Sequence, residues 1–410
     1  MKPLDERGAG VTRAVAAAVT VVSLIVVAVV LVHRSNDDEV AAHASAVTTS
    51  STLTRRTTAP TTPSTLPPLR PPPGRPSVSR LMTLAYQIGG DISPKSVDAS
   101  GRGLVFAQNM MYRHSMTVYD SLGRLVKTIP DSVDLAAFGY RRYHGSIYRG
   151  APVELAYSPD GRHAYVSNYS MYGEGFGPEG TDACVDRDRI DSSFVYRIDL
   201  RSLTIDQVIA VGKVPKFVAT TPDARYLLVS NWCSYDESVV DTRTGREVRR
   251  IPIGPNPRGI AVAPDSSVAY VAEMGGSDIA VIHLADLTTT WIHGVGSGPR
   301  QLVLSPDGRW LYATLNGAGR VVKIDTRSGA VVASTATGTE PRSMAISTDG
   351  ESLYVVNYES STVSKLRATD LSVVQTVPTA PHPIGITYDA RTGDVWVACY
   401  VGVIEVFHDR

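Results

Sequence analysis

The sequence "SPDGRWLY", Ser305 to Tyr312, combines a turn with the start of a strand. Proline at its second position and glycine at its fourth are the preferences of a type I turn. The aromatic and aliphatic residues that follow favour a strand. Nearly the same sequence recurs as "SPDGRHAY" from Ser158, "TPDARYLL" from Thr221 and "APDSSVAY" from Ala263. The chain therefore repeats one turn-and-strand unit.

The aspartate of this motif gives the period of the repeat. Successive aspartates are separated by 63, 42, 42, 42 and 40 residues. A period near 42 residues is typical of propeller blades and solenoids, and the first spacing equals one period plus an insertion. A degenerate copy at Ser96 to Asn109 brings the number of units to seven. The aspartates are Asp160, Asp223, Asp265, Asp307, Asp349 and Asp389.

Each unit contains four short strand patterns and almost no helical periodicity, which indicates one four-stranded propeller blade. The last unit has only three strand patterns, whereas a spare one, Thr83 to Ile88, precedes the first unit. We expect this strand to pair with the Val401–Phe407 strand and close the ring without an open sheet edge. The predicted fold is all-β: a seven-bladed β-propeller over residues 81–410, closed by its N-terminal strand.

The repeated sequences also resemble a known family. "PDGRHAYVSN", "PDARYLLVSN" and "DGESLYVVN" are similar to the repeats of YVTN-repeat β-propellers, including YncE-like proteins. More distantly they resemble the seven-bladed lactonase propellers. The resemblance covers residues 81–410 and implies the same fold. Function has to be sought where the repeat is broken, because the repeated residues build blades.

Three segments precede the propeller. Residues 1–13 are basic and are expected in the cytoplasm, because basic residues mark the cytoplasmic end of an anchor. Ala14–Val32 is uncharged and, with 19 residues, nearly long enough to cross a bilayer as a helix. Residues 33–80, rich in Thr, Ser and Pro, predict a disordered linker. The alternative to a retained anchor is a signal peptide cleaved near "AHASA", Ala42 to Ala46, which would secrete the propeller.

Charge and cysteine content restrict the partners and the compartment. The 40 basic side chains balance the 40 acidic ones, and residues 81–410 are slightly acidic, so nucleic acid is not an expected partner. Cys184 and Cys233 fall in corresponding loops of adjacent units. Outside the cytoplasm we expect them to form a disulfide. Cys399 occupies a strand position and is expected to be a buried thiol.

A basic residue recurs at one position of the repeat. In five of the seven units a Pro–Lys or Pro–Arg pair opens the innermost strand, whereas units two and seven have Val153 and Ile384. Cations that converge on one mouth of the central channel would suit an anionic ligand. In the alternative, each cation pairs with an aspartate of the neighbouring blade. The five residues are Lys95, Lys216, Arg258, Arg300 and Arg342.

Two insertions interrupt the repeat on the predicted mouth side. Phe138–Pro152 is basic and aromatic, whereas Tyr169–Ser193 is acidic and rich in glycine. They predict either a recognition surface beside the channel mouth or two loops that brace each other through opposite charges. The acidic insertion lacks the spacing of a calcium loop, and neither a metal nor a cofactor is expected. The candidate ligand-binding residues of the first insertion are Arg141, Arg142, Tyr143, His144 and Arg149.

The sequence contains no evident catalytic pattern. No Ser-His-Asp order, zinc signature or nucleotide-binding loop is evident, and His114, His144 and His382 have no diagnostic spacing. We therefore expect a membrane-tethered, extracytoplasmic binding or scaffold module rather than an enzyme. Its expected partner is an anionic small molecule, a cell-envelope polymer or another protein. The alternative function is a hydrolase or lyase that acts on an anionic small molecule in the propeller funnel, as the lactonase resemblance implies.

Overall fold

Seven antiparallel sheets of four strands each make up the fold. The computed structural model describes residues 74–177 and 182–410. The predicted anchor, Ala14–Val32, and the linker up to residue 73 lie outside these residues. Within the described residues, no helix is long and apolar enough to cross a membrane.

The innermost strands define blades one to seven in chain order. They are β2 (Ser96–Ala99), β8 (Pro152–Tyr157), β12 (Pro215–Thr220), β16 (Pro257–Val262), β20 (Pro299–Leu304), β24 (Pro341–Ile346) and β28 (Pro383–Asp389). The second strands are β3 (Leu104–Asn109), β9 (His163–Asn168), β13 (Tyr226–Asn231), β17 (Val268–Glu273), β21 (Trp310–Leu315), β25 (Ser352–Asn357) and β29 (Asp394–Cys399).

The third and outer strands complete the blades. The third strands are β4 (Ser115–Asp120), β10 (Ser192–Asp199), β14 (Asp236–Asp241), β18 (Ile279–His283), β22 (Arg320–Asp325), β26 (Thr362–Arg367) and β30 (Val403–Asp409). The outer strands are β5 (Leu125–Pro130), β11 (Thr204–Lys213), β15 (Arg246–Pro252), β19 (Thr288–Ile292), β23 (Val331–Ala336), β27 (Val373–Pro378) and β1 (Met82–Ile88). Outside the blades lie a two-stranded sheet, β6 (Ser132–Val133) with β7 (Tyr148–Arg149), and two 3-10 helices, Ser77–Ser79 and Arg187–Arg189.

The blades form a closed ring. Each innermost strand contacts the innermost strands of both neighbouring blades, and β2 of blade one meets β28 of blade seven. The outer strand of blade seven is β1, which pairs antiparallel with β30 so that Met82 lies opposite Asp409 and Ile88 opposite Ile404. The predicted seven-bladed propeller closed by its N-terminal strand is therefore confirmed.

The repeated turn is held by its own side chains. In blade five, Ser305 Oγ donates to Asp307 Oδ1 over 2.5 Å and accepts from the backbone N–H of Trp310 over 2.9 Å. Asp307 also accepts the N–H of Arg309 at 3.0 Å. Gly308 has a φ of 71°, a left-handed conformation that favours glycine. Each residue of the S-P-D-G motif thus has a role within the turn rather than in function.

Apolar side chains between neighbouring blades form the core. Tyr226, Leu228 and Val239 of blade three pack against Ile260 and Val271 of blade four. Complete burial of such a side chain contributes roughly 1.5–3 kcal/mol, and equivalent clusters lie between other blades. The result is a rigid scaffold whose loops occupy fixed positions.

The chain joins the propeller at the face that carries the repeated turns. Ser77 binds Asp349 of the blade-six turn through its N–H at 2.8 Å and its Oγ at 2.7 Å. The ammonium of Lys365, fully buried in blade six, donates to the carbonyls of Ser77 at 2.7 Å and Arg80 at 2.9 Å. Innermost strands end at the repeated turns, so this attachment lies on the face opposite the strand starts.

Candidate functional site at the channel mouth

The channel mouth is the end of the central channel at which the innermost strands begin. In blades two to six the pairing of the first two strands is irregular directly after the opening proline, for example between Pro215 and Val218 and between Pro299 and Leu302. Such bulges bend a strand and redirect its side chains. The residue after each proline lies within this irregular stretch. The local backbone therefore sets the direction of four of the five predicted cations.

The structure brings these cations together in a largely buried place. Four of these residues are only 4–8% exposed: Lys95, Lys216, Arg258 and Arg300. Arg342 is half-buried. Gly259, next to Arg258, allows blades four and five to approach closely, because a Cβ there would lie 2.4 Å from the carbonyl oxygen of Arg300.

Three of the five cations have a carboxylate partner. Lys216 Nζ lies 2.5 Å from Asp182 Oδ1, and Arg342 Nη2 lies 2.8 Å from Glu340 Oε2. In both cases the carboxylate lies towards the rim, since the Asp182 side chain is 68% exposed and that of Glu340 35%.

The third pair is buried and extends from one blade to another. Arg258 Nη2 of blade four donates to Glu154 Oε1 of blade two over 2.8 Å. Blade three lies between these two blades, so the Arg258–Glu154 pair joins blades that are not neighbours. The predicted pairing with an aspartate of the neighbouring blade therefore occurs for Lys216. Arg258 and Arg342 instead pair with glutamates, one of them two blades away and the other two residues earlier in the chain.

Among the described residues, Lys95 and Arg300 have no carboxylate in direct contact, and the charge of Glu154 acts on them without an ion pair. Burial and then the nearby charge of Arg258 lower the pKa of Lys95 well below its usual value, although Glu154 opposes this shift. Burial, followed by Arg258 and Arg342, also lowers the pKa of Arg300. Because Lys95 and Arg300 are buried and repelled by neighbouring cations, the channel mouth has too little negative charge to balance its cations.

Aromatic rings line the channel mouth on two sides. The Lys216 ammonium lies 4.1 Å from the ring centroid of Tyr169 and 5.3 Å from that of Trp232. On the blade-six side, the Arg342 guanidinium lies 3.4 Å from the centroid of Tyr358, which stacks on His382. Such contacts hold cationic side chains in place through the ring quadrupole. The sequence analysis missed these rings, although Tyr169, Trp232 and Tyr358 each directly follow the second strand of their blades.

A disulfide holds one wall of the channel mouth. The structure joins Cys184 and Cys233, the pair predicted from sequence, and leaves Cys399 as a buried free thiol. The indole N–H of Trp232, next to Cys233, donates to the carbonyl of Asp182 over 2.8 Å. The bridge therefore ties the acidic insertion to blade three beside Lys216.

The basic and aromatic insertion lies elsewhere. Tyr140 OH binds the backbone of Val208 and Ala210 in β11, the outer strand of blade two. Tyr143 is buried and stacks on Phe176 with 4.8 Å between ring centroids. The predicted position of this insertion beside the channel cations is therefore wrong, because its aromatic residues pack outward against β11.

The candidate ligand residues of this insertion surround a separate cavity. A cavity of about 370 Å³ is lined by Arg142, Tyr143, His144 and the acidic residues Glu174 and Asp191. Arg142 donates to Tyr143 OH over 2.5 Å. Arg141 and Arg149 are exposed. The insertions are joined by backbone hydrogen bonds between Arg149 and Tyr172 and by stacked rings.

The most important residue that the sequence analysis missed is Glu154. It follows Val153, where unit two lacks the repeated cation. The only signal was an acidic residue near the start of an innermost strand. Its partner, Arg258, is 104 positions away, so no local pattern could have joined them.

One side-chain cluster outside the channel mouth contains residue types that bind metal ions. Among the described residues, His163, Asp199 and Asp206 offer ligand atoms within 4.8 Å of one another. However, Arg197 binds both oxygens of Asp206, at 2.8 and 3.0 Å. Asp199 accepts two backbone N–H groups. Carboxylates that already accept these hydrogen bonds and lie beside an arginine do not favour the binding of a metal cation.

Comparisons with known proteins support the fold. Residues 293–398 match the family model of the Cytochrome D1 heme domain, a stretch that covers less than half of the chain. Hydrazine synthase of Kuenenia stuttgartiensis is structurally similar, with a TM-score of 0.60 at 20% identity over 78% of this chain and 96% of that chain. No curated protein matches the sequence. At this identity the structural likeness shows the propeller fold alone.

Proposed function

We propose that the protein is a YVTN-type propeller that binds an anionic ligand at its channel mouth. The observation that carries this proposal is the pair Lys95 and Arg300, two buried cations without a carboxylate partner among the described residues. A phosphate, sulfate or carboxylate group would supply the missing negative charge. It would also accept charge-assisted hydrogen bonds in a partly desolvated site.

The segments that precede the propeller bear on the side from which a ligand would approach. We propose that Ala14–Val32 anchors the protein in a membrane and that residues 33–410 lie on the extracytoplasmic side. The channel mouth faces away from the surface at which residues 74–80 join the propeller. A ligand would therefore approach from the face opposite residues 74–80.

Replacing both unpartnered cations is the test of this proposal. In the full-length chain, the Lys95→Met/Arg300→Met variant should lose sulfate binding by at least tenfold, because the uncompensated charge is removed. Isothermal titration with sulfate at constant ionic strength measures this. An Arg249→Ala/Arg250→Ala variant, which removes two exposed cations of the outer strand β15, should bind like the parent. Equal binding by both variants would show that sulfate binds elsewhere, and turnover of a bound anion would favour the hydrolase or lyase alternative.

An anionic tetrapyrrole is a second candidate ligand, favoured by one observation. The family that residues 293–398 match is described as a heme domain, and this stretch supplies Arg300, Arg342 and His382. Arginines bind carboxylates well, so Arg300 and Arg342 would hold the acidic groups of such a ligand. His382, stacked on Tyr358, would offer an imidazole nitrogen to the iron of such a ligand. An absorption change on adding haemin that the His382→Ala variant lacks would support this candidate.

A further inference from the structure

Glu154 is an acidic residue at the centre of a basic site. Its carboxylate is bonded to Arg258, and both side chains are nearly completely buried, at 10% and 5% exposure. The charge of Glu154 also raises the pKa of Lys95 and of Arg300, against the effects of burial and of their cationic neighbours. One carboxylate therefore stabilises three cations of the channel mouth at once.

The bond between Glu154 and Arg258 leaves part of the guanidinium unused. Nη2 of Arg258 donates to Glu154, whereas its Nη1 is buried without a hydrogen-bond partner among the described residues. A guanidinium can bind two oxygens of one anion side by side. The present single contact therefore uses half of what Arg258 can offer to an anionic group.

The carboxyl group of Asp98 does not replace Glu154 in this role. Asp98 is in the innermost strand of blade one, and its pKa is raised well above its usual value by burial and by the charge of Glu154. Burial therefore disfavours a second carboxylate charge beside Glu154. Asp182, which is bonded to Lys216, also acts on Lys95, whereas the charge of Glu154 acts on both Lys95 and Arg300.

We propose that Glu154 is a built-in counter-anion that occupies the ligand site and sets its selectivity. This inference rests on the proposed anion binding. An incoming anion competes with the Glu154 carboxylate for Arg258. It must also replace the negative charge that Glu154 contributes to the site. Multiply charged groups with several oxygens, such as phosphate, sulfate or a polycarboxylate, can do both. A single chloride ion cannot, so the site discriminates against the commonest small anion.

The Glu154→Gln variant tests this role directly. Glutamine keeps the size of the side chain and removes its charge, so the parent site becomes free for an external anion. Sulfate affinity of the full-length chain should increase at least tenfold, which corresponds to about 1.4 kcal/mol, and chloride should begin to compete. The control is Glu247→Gln, which breaks a comparable 2.9 Å pair with Arg250 on the outer strand of blade three and should leave sulfate affinity unchanged.

The outcomes separate this inference from the proposed function. If the parent does not bind sulfate but Glu154→Gln does, Glu154 occupies the site, whereas anion binding by the natural protein is refuted. If the parent binds sulfate and Glu154→Gln binds it no more tightly, anion binding stands and the role of Glu154 is refuted. If neither binds, both ideas fail.

A second variant covers the case in which Glu154→Gln does not fold. Glu154→Asp keeps the charge but withdraws the carboxylate from Arg258 by one methylene. It should bind sulfate more tightly than the parent, though less tightly than a foldable Glu154→Gln variant. Sulfate binding by Glu154→Asp that equals or falls below that of the parent would overturn the inference.

Discussion

Replacing Lys365 by methionine is expected to destabilise the propeller by about 3–5 kcal/mol, the usual cost of breaking a buried ion pair from one side. Its ammonium is bonded to Asp409 over 2.5 Å, and neither side chain is exposed. In the variant, Asp409 would keep a hydrogen bond from Tyr354 OH at 2.6 Å but would remain a buried charge. The carbonyls of Ser77 and Arg80 would lose their donor as well.

Thermal unfolding and limited proteolysis measure this effect. The unfolding midpoint should fall, and cleavage near residues 75–81 should become faster as the closing strand β1 loosens. The matched control is Lys323→Met, at the same position of the third strand one blade earlier. Lys323 donates to the carbonyl of Thr369 and lies over the ring of Trp310, but it has no ion pair among the described residues. Its loss should therefore cost only about 1 kcal/mol.

A further double variant isolates the charge effect. Lys365→Met/Asp409→Asn removes both charges and should recover part of the lost stability, because no unpaired carboxylate remains buried. If Lys365→Met is no less stable than Lys323→Met, or if the double variant is no more stable than Lys365→Met, the buried pair does not hold the N-terminal attachment in the way described.

Replacing Arg300 by methionine is expected to change stability in the opposite direction. In buffer without polyvalent anions, Arg300→Met should be more stable than the parent, because a buried cation repelled by Arg258 and Arg342 is replaced by an apolar side chain. The thermal midpoint checks this. Sulfate should stabilise the parent more than the variant, because binding to the folded state raises stability.

Arg342 provides the contrast at the equivalent position of the next blade. It has a carboxylate partner, Glu340, and an aromatic contact with Tyr358. Arg342→Met should therefore be less stable than the parent. If Arg300→Met is destabilised as much as Arg342→Met, Arg300 has a stabilising partner and the channel mouth is not deficient in negative charge.

The fold could be predicted from sequence because its evidence is repeated. Six units contain Asp307 or its counterpart and the first contains a degenerate copy, and such weak signals at one period add up to a strong one. The closing pair of β1 with β30 was predictable because one unit lacked a strand and another strand was spare. The predicted ends of the two strands differ from the observed ones by at most two residues, a difference typical of strand boundaries.

The site could be predicted only in part. The repeat places Lys95, Lys216, Arg258, Arg300 and Arg342 at equivalent positions, and their convergence at the channel mouth follows from the geometry of a propeller. Arg258 and Arg300 occupy equivalent positions of the repeat, so the sequence does not distinguish them. In the structure Arg258 is paired with a carboxylate, whereas Arg300 has no such pair among the described residues.

The partners of these cations depend on long-range geometry. Glu154 lies two blades from Arg258, and Asp182 belongs to an insertion without a repeat. The same limit explains the incorrect placement of the basic insertion. Charge and chain position predicted a place near the channel mouth, but Tyr140 bonds to the outer strand of blade two and Tyr143 stacks on Phe176 of the acidic insertion.

The central claim is that an anion binds at the channel mouth through Lys95 and Arg300. Anomalous diffraction from crystals of the full-length protein soaked with selenate, a sulfate analogue, tests it most directly. We expect one strong selenium peak within hydrogen-bonding distance of the Arg300 guanidinium and beside Lys95, with Glu154 turned away from Arg258. Selenate bound only in the cavity of the basic insertion, or no ordered selenate in the channel, would contradict the account.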